Sequence, residues 1–263
     1  MYVCQLSFKC ELDIELDEAQ QAISMLLDQY RYNGQIIGRE FPLTLVDDKF
    51  EITFVCPEQD SLAVKYNNDS VLKAFEQLKQ LGLAAPEFKL KGLECQSDFS
   101  DTCDQPKALV LYSTYVQSCS PLRCLEHFAP VPLYKMPEQV RKPLIKWQES
   151  QAACDQLQMN EITEIEPFAI EQLSQLDSEL LQNGNAIAKT IQQQINLPVY
   201  QYLYRVGGES LEAEQQRCCP SCDGDWLLTQ VDRQGKIQEP LHGLFDFKCD
   251  ACLLVSNVSW DWQ

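Results

Sequence analysis

The chain has 263 residues, of which 45% are hydrophobic and 23% charged, and these are the values of an ordinary globular protein. No apolar run approaches the roughly 18–20 residues of a membrane span, and no basic stretch leads into an apolar core, so we expect neither a membrane helix nor a secretory signal. The net charge of −18 repels phosphate, which disfavours a protein that binds duplex nucleic acid.

The first 95 residues alternate between strand and helix patterns. Apolar side chains occupy every second position from Cys4 to Ile14, which indicates a long, half-buried strand with small core cysteines. The later predicted elements are a helix ending near Asn33-Gly34, strands over Phe41–Val46 and Phe50–Cys56, a helix ending at Gly82, and a strand over Phe88–Cys95. The order β-α-β-β-α-β predicts a ferredoxin-like fold.

The middle of the chain is predicted to be mostly helical. After a strand over Ala108–Val116, apolar spacing predicts a helix from Val140, a second opened by Pro167 and broken at Asn183-Gly184, and a third over Ile187–Ile195. A strand over Val199–Tyr204 then leads to a hinge at Gly207-Gly208.

Three tyrosines of that last strand, Tyr200, Tyr202 and Tyr204, share one face. They could stack on bases, but we expect them to pack against the helices.

The C-terminal tail carries two C-x-x-C pairs, Cys219/Cys222 and Cys249/Cys252. Four thiolates in tetrahedral array suit Zn²⁺ best among the cellular divalent ions. The 26 intervening residues exceed the commonest ribbon spacing of roughly 15–20. Strands over Trp226–Val231 and Gly243–Lys248, joined by a turn over 232–236, with a third strand over Leu253–Trp260, would form a three-stranded zinc ribbon. We expect one structural Zn²⁺ per chain.

Two further details of this motif concern Gly224 and Cys218. Gly224 is expected to supply the positive φ that the first bend needs. Cys218 could compete with Cys219 as a ligand, but adjacent side chains of an extended segment point in opposite directions, so only one can face the metal. We choose Cys219.

The other cysteines give weaker patterns. The chain has 13, an odd number, and those outside the tail are scattered, so we expect reduced thiols in the cytoplasm rather than a disulfide scaffold. Cys124-x2-His127 has metal-ligand spacing, and Cys119 or Cys103 could join it as a second metal site. A Cys-His nucleophilic dyad is a further alternative.

The tail resembles an uncharacterised bacterial family of Zn-ribbon-containing proteins for which nucleic-acid binding has been suggested. The segments that carry the resemblance are Arg217–Trp226 and Leu244–Asn257, with Ser120–Cys124, Pro130–Tyr134 and Tyr202–Arg205 in the middle. The resemblance runs through most of the chain and implies Zn²⁺ held by the four tail cysteines and a nucleic-acid ligand.

We therefore predict an α+β protein with a ferredoxin-like domain over 1–118, a mostly helical region over 119–208, and a zinc ribbon over 209–263. We expect a non-enzymatic recognition protein that binds no membrane and whose ribbon stabilises a docking surface for a protein partner.

Two alternatives stay open. One is binding of single-stranded DNA or RNA, with Trp226, Phe245, Phe247, Trp260 and Trp262 as stacking residues beside Arg217 and Lys248. The other is an enzyme whose site lies between body and ribbon and uses Cys124, His127 and carboxylates.

Overall fold

The structure is a computed structural model that describes residues 1–10, 14–160, 164–228 and 240–262. It contains two compact units. The first comprises Met1–Thr102, Gln117–Ser120 and Ala129–Ile145, and the second comprises Cys103–Val116, Pro121–Phe128 and Lys146–Gln263. Across the described residues, none of the helices is long and apolar enough to cross a membrane. The predicted divisions near residues 118 and 208 stay predictions.

The first unit is built on a four-stranded antiparallel sheet with two helices. Its elements in chain order are β1 (Tyr2–Lys9), α1 (Leu16–Tyr32), β2 (Leu43–Val46), β3 (Lys49–Cys56), α2 (Asp69–Gln80) and β4 (Glu87–Leu93). The strand order is β2-β3-β1-β4, and every neighbouring pair is antiparallel. This is the topology of the split βαβ unit, so the predicted ferredoxin-like start is confirmed.

The core of this unit lies between the sheet and its helices. Cys4 and Phe8 of β1 are fully buried, and they pack with Ile23 and Leu26 of α1 and with Val71 of α2. Residues 11–13 of the predicted first strand lie outside the described residues. Because Cys4 is fully buried in this cluster, it is a core residue, as its alternating position predicted.

The second unit contains a mixed five-stranded sheet. The further elements in chain order are β5 (Leu109–Leu111), β6 (Leu122–Cys124), α3 (Glu138–Met159), α4 (Glu166–Ser174), α5 (Glu179–Ile195), β7 (Val199–Leu203), α6 (Leu211–Gln215), β8 (Phe247–Cys249) and β9 (Leu254–Ser256). Helix α3 belongs to the first unit up to Ile145 and to the second from Lys146. The strand order is β6-β5-β7-β9-β8, with β7 parallel to both β5 and β9. The α+β class is therefore correct.

The tail strands extend this sheet. In the described part, β8 and β9 form an antiparallel pair, and the predicted strand from Trp226 contributes a single bridge, between Leu227 and Phe247. Backbone hydrogen bonds on either side of that bridge, from Leu228 to Asp246 and from Lys248 to Trp226, are each 2.7 Å long. The rest of that strand and the turn over 232–236 lie outside the described residues.

The predicted break at Asn183-Gly184 is wrong, because α5 runs through it. A β-carbon added to Gly184 would lie 2.4 Å from Nε2 of Gln201 and 2.8 Å from Nε1 of Trp147. The glycine therefore allows a close approach of α5 to two neighbouring side chains, and this packing offsets the roughly 1 kcal/mol that glycine costs inside a helix.

The tyrosine face of β7 is part of the core, but, contrary to our expectation, Tyr200 and Tyr202 do not pack mainly against the helices. Tyr200 and Tyr202 are buried, and the ring centroids of Tyr202 and Phe245 are 5.7 Å apart. The ring centroids of Tyr112 and Tyr202 are 5.2 Å apart. The main neighbours of these rings are thus other aromatic rings and not the helices alone.

Candidate metal centre

The first C-x-x-C pair sits in a tight turn. The backbone N–H of Cys219 donates to the carbonyl of Gly224 at 2.9 Å, and that of Asp223 donates to the carbonyl of Cys219 at 2.8 Å. The residue with positive φ is Asp223, at 56°, so the prediction that Gly224 supplies it is wrong. The chain must turn directly after the second cysteine, and aspartate tolerates the left-handed region better than most residues.

The second pair lies between two strands. Cys249 is the last residue of β8, and Cys252 comes two residues before β9 begins. Leu253, directly after Cys252, has a φ of 55°. The two pairs therefore form similar turns whose cysteine side chains face each other.

The four predicted ligands come together. The sulfur atoms of Cys219, Cys222, Cys249 and Cys252 all lie within 4.8 Å of one another, and those of Cys222 and Cys249 are 3.7 Å apart. A tetrahedral Zn²⁺ with Zn–S bonds of about 2.3 Å separates its sulfurs by about 3.8 Å. A disulfide would need about 2.05 Å. Cys218 is exposed and is not part of the cluster.

The protein environment shifts the pKa values of two of the cysteines in opposite directions. Burial raises the pKa of the Cys219 thiol. A hydrogen bond from the backbone of Gly224 lowers the pKa of Cys222, which is exposed. A cation bound among these sulfurs would deprotonate them. The donor set is soft and tetrahedral, so the residues present fit a structural Zn²⁺.

Arg217, two residues before the first cysteine pair, contacts two aromatic rings and a backbone carbonyl. Its guanidinium carbon lies 5.0 Å from the ring centroid of Trp226 and 4.5 Å from that of Phe247, and its Nη2 donates to the carbonyl of Asn257 at 3.0 Å. Burial lowers the pKa of Arg217 to about 10. This arginine is engaged inside the protein and is not an exposed phosphate contact.

Glu214, buried beside Arg217, completes this group. Both of its carboxylate oxygens accept hydrogen bonds from Nε of Arg205, at 3.0 Å each, and Nε of Arg217 lies 3.6 Å from one of them. Sequence reasoning missed Glu214 as well as Asn257, because nothing in a charged or polar residue's local pattern marks it as buried.

Most of the predicted base-stacking residues are buried. Trp226, Phe245 and Phe247 are buried core residues, so their prediction as stacking residues is wrong. Trp260 and Trp262 are 43% and 41% exposed. Their short segment follows β9, and a large part of each indole is left uncovered by the residues that the structure describes.

Lys248 is engaged by its neighbours. Its Nζ lies 2.5 Å from Oδ1 of Asp250 and 4.9 Å from the ring centroid of Tyr200. The hydroxyl of Tyr200 donates to the same aspartate oxygen at 2.6 Å. Lys248 is therefore paired with the carboxylate of Asp250, two residues later in the chain.

A cleft of about 620 Å³ lies directly beside the cysteine cluster. One wall is formed by the turns, through Ser221, Ala251 and Cys252, and the opposite wall by α5. The polar side chains that line it are Asn185, Lys189, Gln192, Gln193, Asn196, Gln201 and Ser221. Sequence reasoning missed this cleft, because it depends on how β9 is placed next to β7.

The structure also places Cys124 and His127 next to each other. Sγ of Cys124 and Nδ1 of His127 are 3.5 Å apart, and Cys124 is buried at the end of β6. This contact follows from the short spacing of the two residues. A second metal site that also uses Cys119 or Cys103 stays a prediction.

Three family models match successive parts of the chain, and each is a domain of unknown function. They are DUF8589 over residues 1–92, DUF2310 over 103–204, and DUF8594 over 208–262.

Similar solved structures match the chain only weakly. A Deinococcus radiodurans protein assigned as an antibiotic biosynthesis monooxygenase is 12% identical, with a TM-score of 0.27, and the match covers 38% of this chain and 100% of that one. A Nitrosomonas europaea protein with the same assignment is 13% identical, with a TM-score of 0.27, over 35% of this chain and 97% of that one.

Two Haemophilus influenzae proteins are much more similar, and both are described as uncharacterized. One is 39% identical over 211 residues, which is 79% of this chain and 95% of that protein. The other is 40% identical over 270 residues, with both chains covered completely. The chain belongs to the same family as this Haemophilus influenzae protein.

Proposed function

We propose that this is a zinc-binding recognition protein without catalytic activity, whose four-cysteine centre stabilises a docking surface for a protein partner. The observation that carries the proposal is the position of the sulfur cluster, which holds one wall of the cleft beside α5. Zn²⁺ bound to Cys219, Cys222, Cys249 and Cys252 would complete a zinc ribbon. Its role would be structural, because four protein thiolates leave no open coordination position for a substrate.

The lining of the cleft supports a polar peptide segment as the occupant. Side-chain amides of Asn185, Gln192 and Gln193 can donate to and accept from a peptide backbone. Lys189 is exposed in the same wall and would favour a carboxylate in the bound segment. None of the described cysteines is joined to another by a disulfide, which supports a reducing compartment such as the cytoplasm.

Site-specific photo-crosslinking tests this proposal. A photoreactive residue at Lys189 should capture a discrete partner in cells, whereas one at Gln194, exposed on α5 but outside the cleft, should not. The Cys249→Ala variant should abolish the Lys189 product. Equal products from both positions, or a Lys189 product that survives loss of the metal centre, would count against the proposal.

Binding of single-stranded nucleic acid is the second candidate, and the exposed indoles of Trp260 and Trp262 favour it. The net charge of −18 and the engagement of Arg217 and Lys248 weigh against it.

A further inference from the structure

The second unit holds a separate cavity of about 350 Å³, distinct from the cleft beside the cysteines. Its walls come from α3, from β7 and the segment after β5, and from the C-terminal Trp260. Tyr112, Tyr202, Tyr204 and Trp260 give it an aromatic lining. Its volume lies within the range of small-molecule sites, roughly 300–1,000 Å³, and aromatic walls are typical of such sites.

Two residues of this lining each carry a buried polar atom that has no hydrogen-bond partner among the described residues. The two atoms are Oγ of Ser113 and Oε1 of Gln151, whose residues are 5% and 4% exposed. Leaving a buried polar group unpaired costs about 1–3 kcal/mol, and each such group in a folded protein calls for an explanation. A ligand that pairs with both atoms supplies one.

The surrounding groups fix the shape and the charge preference of the cavity. Asp155 accepts hydrogen bonds from the backbone N–H of Tyr115 at 2.6 Å and from Nε2 of Gln158 at 3.2 Å, and Gln158 in turn accepts from the hydroxyl of Tyr204 at 3.1 Å. This chain of contacts holds one aromatic wall in place. The carboxylate of Asp155 lines the same cavity and disfavours an anionic ligand.

We propose that this cavity binds a small, neutral, planar heteroaromatic ring that carries an N–H donor and a ring-nitrogen acceptor. The N–H donates to Oε1 of Gln151, and the ring nitrogen accepts from the hydroxyl of Ser113. The ring faces contact the tyrosine and tryptophan walls, where aromatic pairs add to the energy of burial. None of the four cysteines lines this cavity, and its lining is separate from that of the cleft beside them.

Benzimidazole is the probe, because it is neutral near pH 7.5 and presents both groups on one ring system. Binding to the full-length wild-type chain is followed by NMR, through the indole N–H of Trp260, in titrations of benzimidazole, 1-methylbenzimidazole and indole. The methylated probe lacks the donor, and indole lacks the acceptor. Each should bind about 5- to 100-fold more weakly than benzimidazole, since each leaves one buried atom unpaired.

Matched variants assign the two contacts. Gln151→Met should remove the preference for benzimidazole over 1-methylbenzimidazole, and Ser113→Ala should remove the preference over indole. Gln156→Met and Ser150→Ala, on the same α3 but outside the cavity lining, should leave both preferences unchanged. The comparison of three probes on the wild-type chain needs no substitution, so it decides the matter even if a variant fails to fold. Equal affinity for the three probes, or no shift of the Trp260 signal with any of them, would overturn the proposal.

Discussion

Asp223 and Leu253 occupy equivalent positions in the two cysteine turns. Each directly follows the second cysteine of its pair, and their φ angles are 56° and 55°. Neither is a glycine, although a β-carbon costs roughly 1–2 kcal/mol in this region. The two turns therefore share one backbone path, and that path requires the left-handed conformation at the residue after the C-x-x-C pair.

The first prediction uses this position. Asp223→Val should lower the free energy of unfolding by about 1–2 kcal/mol, because a β-branched residue fits the left-handed region poorly. Asp223→Gly should be neutral or slightly stabilising, because glycine adopts this conformation without that cost. Denaturant unfolding of the zinc-saturated variants measures both effects, and a glycine variant as unstable as the valine one would show that the aspartate side chain itself is required.

The second prediction concerns metal content. Purified protein should hold one Zn²⁺ per chain, since the four sulfurs within 4.8 Å of one another provide a complete tetrahedral site. Cys249→Ala should lose most of the metal, whereas Cys218→Ser should keep it, because Cys218 lies outside the cluster. Elemental analysis gives the stoichiometry, and a loss of zinc in the Cys218 variant would refute the choice of ligands.

The third prediction follows from the pairing of the tail strands with the rest of the second unit. Zinc binding supplies much of the folding energy of small zinc modules, on the order of 10 kcal/mol in isolated peptides. Removing the metal should therefore expose the backbone of β9 and also that of β7, because Tyr202 of β7 pairs with Val255 of β9. Hydrogen exchange should rise in both strands after chelation and stay low in β1 and β3. If β7 stays protected without metal, the tail strands unfold separately from β7, which would contradict the prediction.

Local patterns explain which parts of the fold could be predicted from the sequence. The first unit has two strands of eight residues, β1 and β3, and two amphipathic helices, so the periods of 2 and 3.6 extend far enough to be recognised. The second sheet is different, because β5, β6, β8 and β9 have three residues each. A strand of that length shows no period, and its pairing depends on contacts distant in sequence.

The candidate sites divide in the same way. The cysteine cluster could be predicted because the spacing of its ligands is local, within each pair. Ser113 and Gln151 could not, because the two residues approach one cavity only after α3 packs next to the segment that follows β5. The break predicted at Gly184 failed for the same kind of reason, since the glycine serves a contact with Trp147 and Gln201 that the local sequence does not reveal.

The fourth prediction concerns Glu214. Burial by itself raises the pKa of this carboxyl, but hydrogen bonds from Arg205 and the charges of Arg205 and Arg217 outweigh burial and lower the pKa below its ordinary value of 4.5. Glu214→Gln should reduce the free energy of unfolding at neutral pH by about 1.5–3 kcal/mol, the value of a hydrogen bond to a charged group. Glu212→Gln, exposed on the same α6, should have little effect.

The pH dependence of this effect has a definite sign. A carboxyl whose pKa is lowered on folding stabilises the protein fully above its unfolded pKa, near 4.5, and the stabilisation is lost as pH falls through the folded pKa. The difference between wild type and Glu214→Gln should therefore be constant from pH 6 to 8 and shrink below about pH 4.5. A difference that stays unchanged down to pH 3 would show that the carboxylate charge is not responsible.

The last prediction separates a protein partner from nucleic acid through salt. The tail from residue 209 has four basic residues, of which Arg233 and Lys236 lie outside the described residues. Arg217 is held beneath Trp226 and Phe247, and Lys248 pairs with Asp250, so at most about two positive charges remain for phosphates. Each neutralised phosphate contributes about −0.9 to the slope of log affinity against log salt on duplex DNA.

We therefore expect weak or undetectable duplex binding at physiological salt, with a slope no steeper than about −2. Affinity for single strands should depend on stacking, so Trp262→Ala should weaken it by about 1–3 kcal/mol and Trp262→Phe by less. Fluorescence anisotropy over a salt series measures both. Tight duplex binding with a steep slope would contradict the preference for a protein partner, whereas single-strand binding that ignores the Trp262 substitution would remove stacking at that residue from the nucleic-acid alternative.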